Sequence, residues 1–139
     1  MKYLNLILYF TIIITIGIII LIGFWLNYPY KPIVFKDSYF KVLTPVVKSG
    51  DIVQFEVDCC KYTKLGAKMS RTFIDGITFT TPEVDVNRAI GCSKSIVGVT
   101  VPTTLPEGRY YIKTVYRYQV NPIRNVDVVT VTEKFNVIK

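Results

Sequence analysis

Leu4 to Leu26 (LNLILYFTIIITIGIIILIGFWL) is a run without a single charge, and its only polar side chains are Asn5, Thr11 and Thr15. As a helix rising about 1.5 Å per residue it spans about 34 Å, enough to cross a hydrocarbon core of about 30 Å. A run of this length with no polar face predicts a transmembrane helix rather than a core helix of a globular domain. Tyr3 at one end and Phe24, Trp25, Tyr28 and Tyr30 at the other make an aromatic belt. A cleaved signal peptide has a shorter apolar stretch, about 7 to 15 residues, followed by a small-residue cleavage site. Here the run continues into the bulky FWLNYPYKP, so residues 1–26 are predicted to be an uncleaved signal anchor. Residues 27–32 (NYPYKP) follow as a linker, in which two prolines stop the helix and favour extended backbone.

From residue 33 to residue 139 the period changes from helical to twofold. Short runs of β-branched and aromatic residues alternate with polar ones between turn signals. The first predicted strand is Ile33 to Leu43, ended by TPVVKSGD. DIVQFEVDCCKYT places Val53, Phe55, Val57 and Cys59 on one face, and Gln54, Glu56, Asp58 and Cys60 on the other. In MSRTFIDGITFT, Asp75-Gly76 stands between two β-rich arms and predicts a type I′ hairpin turn. TPEVDVNRAIGC reads as a polar loop, and SIVGVTVP as a strand with Val97, Val99 and Val101 on one face. RYYIKTVYRYQV sets Tyr110, Ile112, Thr114, Tyr116, Tyr118 and Val120 against Arg109, Tyr111, Lys113, Val115, Arg117 and Gln119. After the turn NPIRN, the last run is predicted to direct Val129, Val131, Phe135 and Val137 to one side.

About seven strands with one apolar face each must bury those faces against one another. The predicted fold is therefore all-β, a two-sheet antiparallel sandwich over residues 33–139, preceded by one N-terminal transmembrane helix. Strand number and spacing resemble immunoglobulin-like (Ig-like) domains. So does L-P-E-G-R-Y, residues 105 to 110, which is similar to the L-x-x-G-x-Y that opens the penultimate strand of Ig-like modules in bacterial and phage membrane-anchored proteins. The resemblance implies that Gly108 belongs to the entry turn and that Tyr110 is the corner tyrosine. The cysteine pair of antibody domains is missing, because RYYIKTVYRYQV has no cysteine.

The Ig-like order also bears on Cys59, Cys60 and Cys92. In that order the second and fifth strands are antiparallel neighbours, which implies a Cys60–Cys92 disulfide with Cys59 a buried thiol. A bulge would pair Cys59 with Cys92 instead, and a cytoplasmic domain would keep all three reduced. Three cysteines and no histidine fall short of the four ligands of a structural zinc site, so no metal and no cofactor is expected.

Charge adds two constraints. All ten acidic residues follow residue 30, with sixteen of the seventeen Lys and Arg, so the β-region carries about +6. Such a surface favours anionic partners. Lys61, Lys64, Lys68 and Arg71, in KYTKLGAKMSR, are the densest acid-free cluster and the candidate anion-binding residues. A second stripe, Arg109, Lys113 and Arg117, lies on the outward face of its strand. The flanking lysines Lys31, Lys36 and Lys41 outnumber Lys2, which by the positive-inside count would hold the domain in the cytoplasm. A long following domain translocates largely regardless of that count. The predicted disulfide asks for an oxidising compartment. The expectation is an N-terminus inside and a β-domain periplasmic or extracellular.

Without histidine, Ser-His-Asp and Cys-His chemistry is excluded. No Walker A loop and no dinucleotide fingerprint is present. The expected function is a non-enzymatic interaction module displayed from a membrane. Its partner would be an envelope protein or an anionic surface component, and no nucleic acid is expected. The absence of N-x-S/T acceptor sites fits a bacterial or phage origin. Two other readings stand beside it. One is a membrane-assembly or lysis-control protein acting through its helix, where Thr11, Thr15, Gly17 and Gly23 offer small residues for packing. The other is a hydrolase using the carboxylates Glu83 and Asp85.

Overall fold

The computed structural model describes residues 2–27 and 30–139. The chain is an all-β sandwich preceded by one helix. Tyr28 and Pro29, part of the predicted linker and belt, lie outside the described residues.

Helix α1 runs Lys2–Asn27, one residue past its predicted end, and its apolar span Tyr3–Asn27 is nowhere buried in the protein. Thr11 and Thr15 donate their hydroxyls to the carbonyls of Ile7 and Thr11, each at 2.9 Å, so neither hydroxyl needs water. The last turn would leave carbonyls without partners. Asn27 Nδ2 donates to the Gly23 carbonyl, Asn121 Nδ2 to that of Trp25, and Arg124 Nη1 to that of Leu26. The last two donors come from the β-domain.

Eleven strands follow among the described residues: β1 Ile33–Phe35, β2 Tyr39–Phe40, β3 Val46–Lys48, β4 Ile52–Lys61, β5 Ala67–Asp75, β6 Ile77–Thr80, β7 Val84–Val86, β8 Gly91–Thr100, β9 Gly108–Asn121, β10 Arg124–Thr132 and β11 Phe135–Ile138. One sheet has the order β1-β4-β8. The other is built on β9, with β10 and β11 along one edge and β5 along the other. These are the positions of strands A-B-E and C-F-G in an Ig-like sandwich. Strands β2 and β3 add parallel pairings to β10 and β11, the only departures from antiparallel order among the described strands.

The core lies between the sheets. Val53, Phe55, Val57 and Cys59 of β4 face Tyr110, Ile112, Tyr116 and Tyr118 of β9, all buried as their alternation predicts. Phe40 stacks on Phe55 at 5.8 Å between ring centroids, and Phe73 meets Phe135 edge-on at 6.4 Å.

Several predicted elements are corrected. Ile33 to Leu43 is not one strand: β1 pairs with β4, the polar Lys36-Asp37-Ser38 crosses over, and β2 pairs with β10 in the other sheet. The inward set shifts with it, from Ile33 and Phe35 to Phe40 and Val42. The stretch TPVVKSGD holds β3, and the polar loop holds β7, with β8 beginning at Gly91 rather than at Ser95.

Asp75-Gly76 does turn a hairpin, but not of type I′. Ile74 pairs with Thr78, which puts Gly76 at the centre of an odd-numbered turn, and within that turn only Gly76 has a positive φ, +68°. Type I′ needs two such residues.

The last run is out of phase with its prediction. Val129 is exposed, Val131 half-buried, and Thr130 and Thr132 are buried in their place. The register along β9 slips by one residue between Val131↔Lys113 and Phe135↔Tyr110. That slip returns Phe135 and Val137 to the core. Thr132 Oγ1 is satisfied inside: it accepts from the Ile112 N–H at 2.9 Å and donates to the Glu133 carbonyl at 2.9 Å.

Candidate functional site

Strand alternation divides the four candidate anion-binding residues into two pairs. Lys64, in the loop after β4, and Lys68, on the outer face of β5, are exposed. Lys61 and Arg71 point inward.

Lys61 is 2% exposed. Its ammonium donates to Asn87 Oδ1 at 2.8 Å and to the Arg88 carbonyl at 2.7 Å. This corrects its assignment as a surface anion ligand: the last residue of β4 continues the inward set, and the lysine ties β4 to the segment before β8. Arg71 takes the inward position between Met69 and Phe73. Burial lowers its pKa from the ordinary value, Tyr116 works against that shift, and Arg88 adds to it. Its Nε, like Thr63 Oγ1, is buried with no hydrogen-bond partner among the described residues.

Arg88 was not singled out by sequence reasoning. Its Nη1 stands 3.4 Å from Cys59 Sγ, so Lys61, Arg71, Arg88 and the Cys59 thiol share one end of the interior. No Asp or Glu is buried among the described residues. Tyr116 and Tyr118 close this cluster from β9. Burial raises both phenols, against the pull of Arg88, and Tyr118 reaches about 12.

Outside, the paired carboxylates and the outer cations meet. Asp85 of β7 lies opposite Lys68 of β5, and Lys68 lies opposite Arg117 of β9. With Glu83, Gln119 and Asn125 they line an open cavity of about 590 Å³. Arg117 is held by Asp127 through a two-point ion pair, Nε–Oδ1 3.0 Å and Nη2–Oδ2 3.1 Å. The pair raises the Arg117 pKa and lowers that of Asp127. Glu83 and Asp85 are both exposed, without the apolar burial that tunes a carboxyl group for acid catalysis. No cluster of three or more His, Cys, Asp or Glu among the described residues is arranged to hold a metal.

Cys60 and Cys92 stand directly opposite in the β4–β8 ladder and form a disulfide, while Cys59 is a buried free thiol. The bridge lies on the outward face of its sheet, with Cys92 exposed.

The remaining structural residues form one unit at the other end of the sandwich. Asp75 Oδ2 accepts the Arg109 N–H at 2.8 Å, so the β5–β6 turn holds the first residues of β9. Gly108 leaves room for that approach: a Cβ there would lie 2.5 Å from Asp75 Oδ2 and 3.0 Å from the Tyr110 ring, so one of them would have to shift. Tyr110 is buried, and burial together with the Asp75 carboxylate raises its pKa.

No protein-family model matches the chain, and no curated protein does. Among solved structures, the chain is similar to the alkylpurine DNA glycosylase AlkC of Pseudomonas fluorescens, bound to DNA containing an abasic-site analogue. The TM-score is 0.42 at 9% identity over 79% of this chain, which spans 31% of the glycosylase chain. It is also similar to the CARDB domain of a Pyrococcus furiosus protein in complex with di-metal ions. There the TM-score is 0.36 at 14% identity, over 81% of this chain and 94% of that one. Neither likeness bears on function.

Proposed function

We propose that this chain is a single-pass membrane protein that displays a non-enzymatic Ig-like module on the non-cytoplasmic side, for contact with another envelope component. The observation that carries this reading is an unburied apolar helix, Tyr3–Asn27, joined to a sandwich with a Cys60–Cys92 bridge. Such a helix is stable in lipid and costly in water, and a structural disulfide belongs to an oxidising compartment.

The test is labelling of intact cells with a membrane-impermeant maleimide before and after mild reduction, with adducts located by mass spectrometry. Labelling of Cys60 and Cys92 from outside, only after reduction, is the expected result. Cysteines that react without reductant, and only once the membrane is opened, would place the domain in the cytoplasm and end this reading. Exchanging α1 for an unrelated anchor is expected to leave display intact; loss of function on that exchange would favour the helix-acting reading.

A further inference from the structure

The strand registers collect four segments at the end of the sandwich that faces α1. Lys61 at the end of β4 lies opposite both Ile33, at the start of β1, and Gly91, at the start of β8. Lys68 near the start of β5 lies opposite Arg117 near the end of β9. The stretch before β1 (residues 30–32), the β4–β5 loop (62–66), the β7–β8 connection (87–90) and the tip of the β9–β10 hairpin (122–123) are therefore neighbours. The Tyr62 N–H donates to the Pro32 carbonyl at 3.0 Å, and the hairpin is bonded to the last turn of α1 through Asn121 and Arg124.

These segments have a common composition. They read YKP, YTKLG, NRAI and PI, with no acidic residue. Three of them present a large apolar side chain to solvent: Tyr62 is 62% exposed, Ile90 55% and Ile123 51%. Lys31 and Lys64 are exposed beside them. The turns at the opposite end carry Asp51, Asp75 and Glu107 instead.

We infer that this end of the sandwich is a docking face for anionic phospholipid. Tyr62, Ile90 and Ile123 enter the headgroup layer around the anchor, and Lys31 and Lys64 meet lipid phosphates. The inference rests on the reading of α1 as a membrane anchor. It follows from continuity: the hairpin is hydrogen-bonded to the carbonyls of Trp25 and Leu26, so it sits wherever the helix leaves the hydrocarbon. Tyrosine favours that interface, and each nearby Lys or Arg is attracted to an anionic leaflet. The domain is then not a free head on a tether but stands on the bilayer, with the Asp75–Gly108 end presented outward.

The test uses the full chain in phosphatidylcholine vesicles with brominated acyl chains, with and without phosphatidylglycerol. Trp25 is the chain's only tryptophan, so its quenching reports helix insertion independently. Fluorophores on Tyr62→Cys, Ile123→Cys and, at the far end, Thr104→Cys report docking. Quenching of Trp25 and of positions 62 and 123, but not 104, is expected, strengthened by phosphatidylglycerol. Lys64→Gln is expected to lower the docked-to-undocked ratio about fivefold in the anionic vesicles. Quenched Trp25 with positions 62 and 123 behaving like 104 overturns docking and leaves the anchor standing. That result includes the case where a protein covers this face instead. Unquenched Trp25 overturns the anchor and the docking face with it. Quenching indifferent to phosphatidylglycerol and to Lys64→Gln overturns the anionic-lipid assignment.

Discussion

The disulfide closes a loop of sequence separation 32 that contains all of β5, β6 and β7. The chain leaves the first sheet after β4, builds three strands of the second sheet, and returns at β8. Replacing Cys60 and Cys92 together by serine releases that loop in the unfolded chain. In the chain-entropy account this costs about 4 kcal/mol, against a typical total of about 5 to 15 kcal/mol for a domain. The native state has little to lose directly, because the ladder from Ile52↔Thr100 to Lys61↔Gly91 holds the register without the bridge. The assay is urea unfolding of the full chain in detergent, followed by near-ultraviolet dichroism of the tyrosines. With a slope of about 2 kcal/mol per molar urea, the midpoint falls by about 2 M. Reducing the wild type is expected to reproduce that shift, and reductant is expected to leave the double-serine variant unmoved. An unchanged midpoint in the variant would show that the bridge does not stabilise the fold in this way. An equal response to reductant in wild type and variant would do the same.

Two further outcomes follow from the interior cluster. Lys61→Met keeps the volume of the side chain but leaves Asn87 Oδ1 and the Arg88 carbonyl without their donor. A loss of about 2 to 4 kcal/mol is expected by the same urea assay, and a neutral result would mean that these acceptors find water. Tyr118 has a folded-state pKa of about 12, raised above its ordinary 10.0, so the fold favours the neutral phenol. Its contribution is fully present below about pH 10 and is lost as pH rises through about 12. Tyr118 is buried but stands near the end of the sandwich, where water screens charge, so the loss is about 1 to 3 kcal/mol. Alkaline titration of stability should show this fall in wild type and a shallower one in Tyr118→Phe. Equal slopes would remove Tyr118 as its source.

The candidate site was only partly legible in the chain. KYTKLGAKMSR is one basic cluster in sequence, but twofold alternation sends Lys61 and Arg71 indoors and leaves Lys64 and Lys68 outside. Arg88 and Asn87 carry no local signal, since an Asn-Arg pair in a polar stretch resembles any surface loop. Their role arises only when the β7–β8 connection crosses the open end between the sheets and meets the end of β4. Glu83 and Asp85 read as loop acids, and the place of Asp85 opposite Lys68 exists only because β7 adds to the edge of β5.

What local chemistry dictates was present in the sequence from the start. A charge-free run of membrane length, the inward faces of β4 and β9, and the turn at Asp75-Gly76 depend on residues close together in the chain. So does the phase that puts Cys59 inside and Cys60 outside. The packed fold fixed everything that depends on register between distant strands. It set the partner of Cys60, the crossover that breaks the first run into β1 and β2, and the one-residue slip that buries Thr130 and Thr132 in place of Val129 and Val131. It also placed Asn121 and Arg124 on the last turn of α1. The physical reason is that alternation specifies which face a side chain takes, whereas only the packing of two sheets specifies what that face meets.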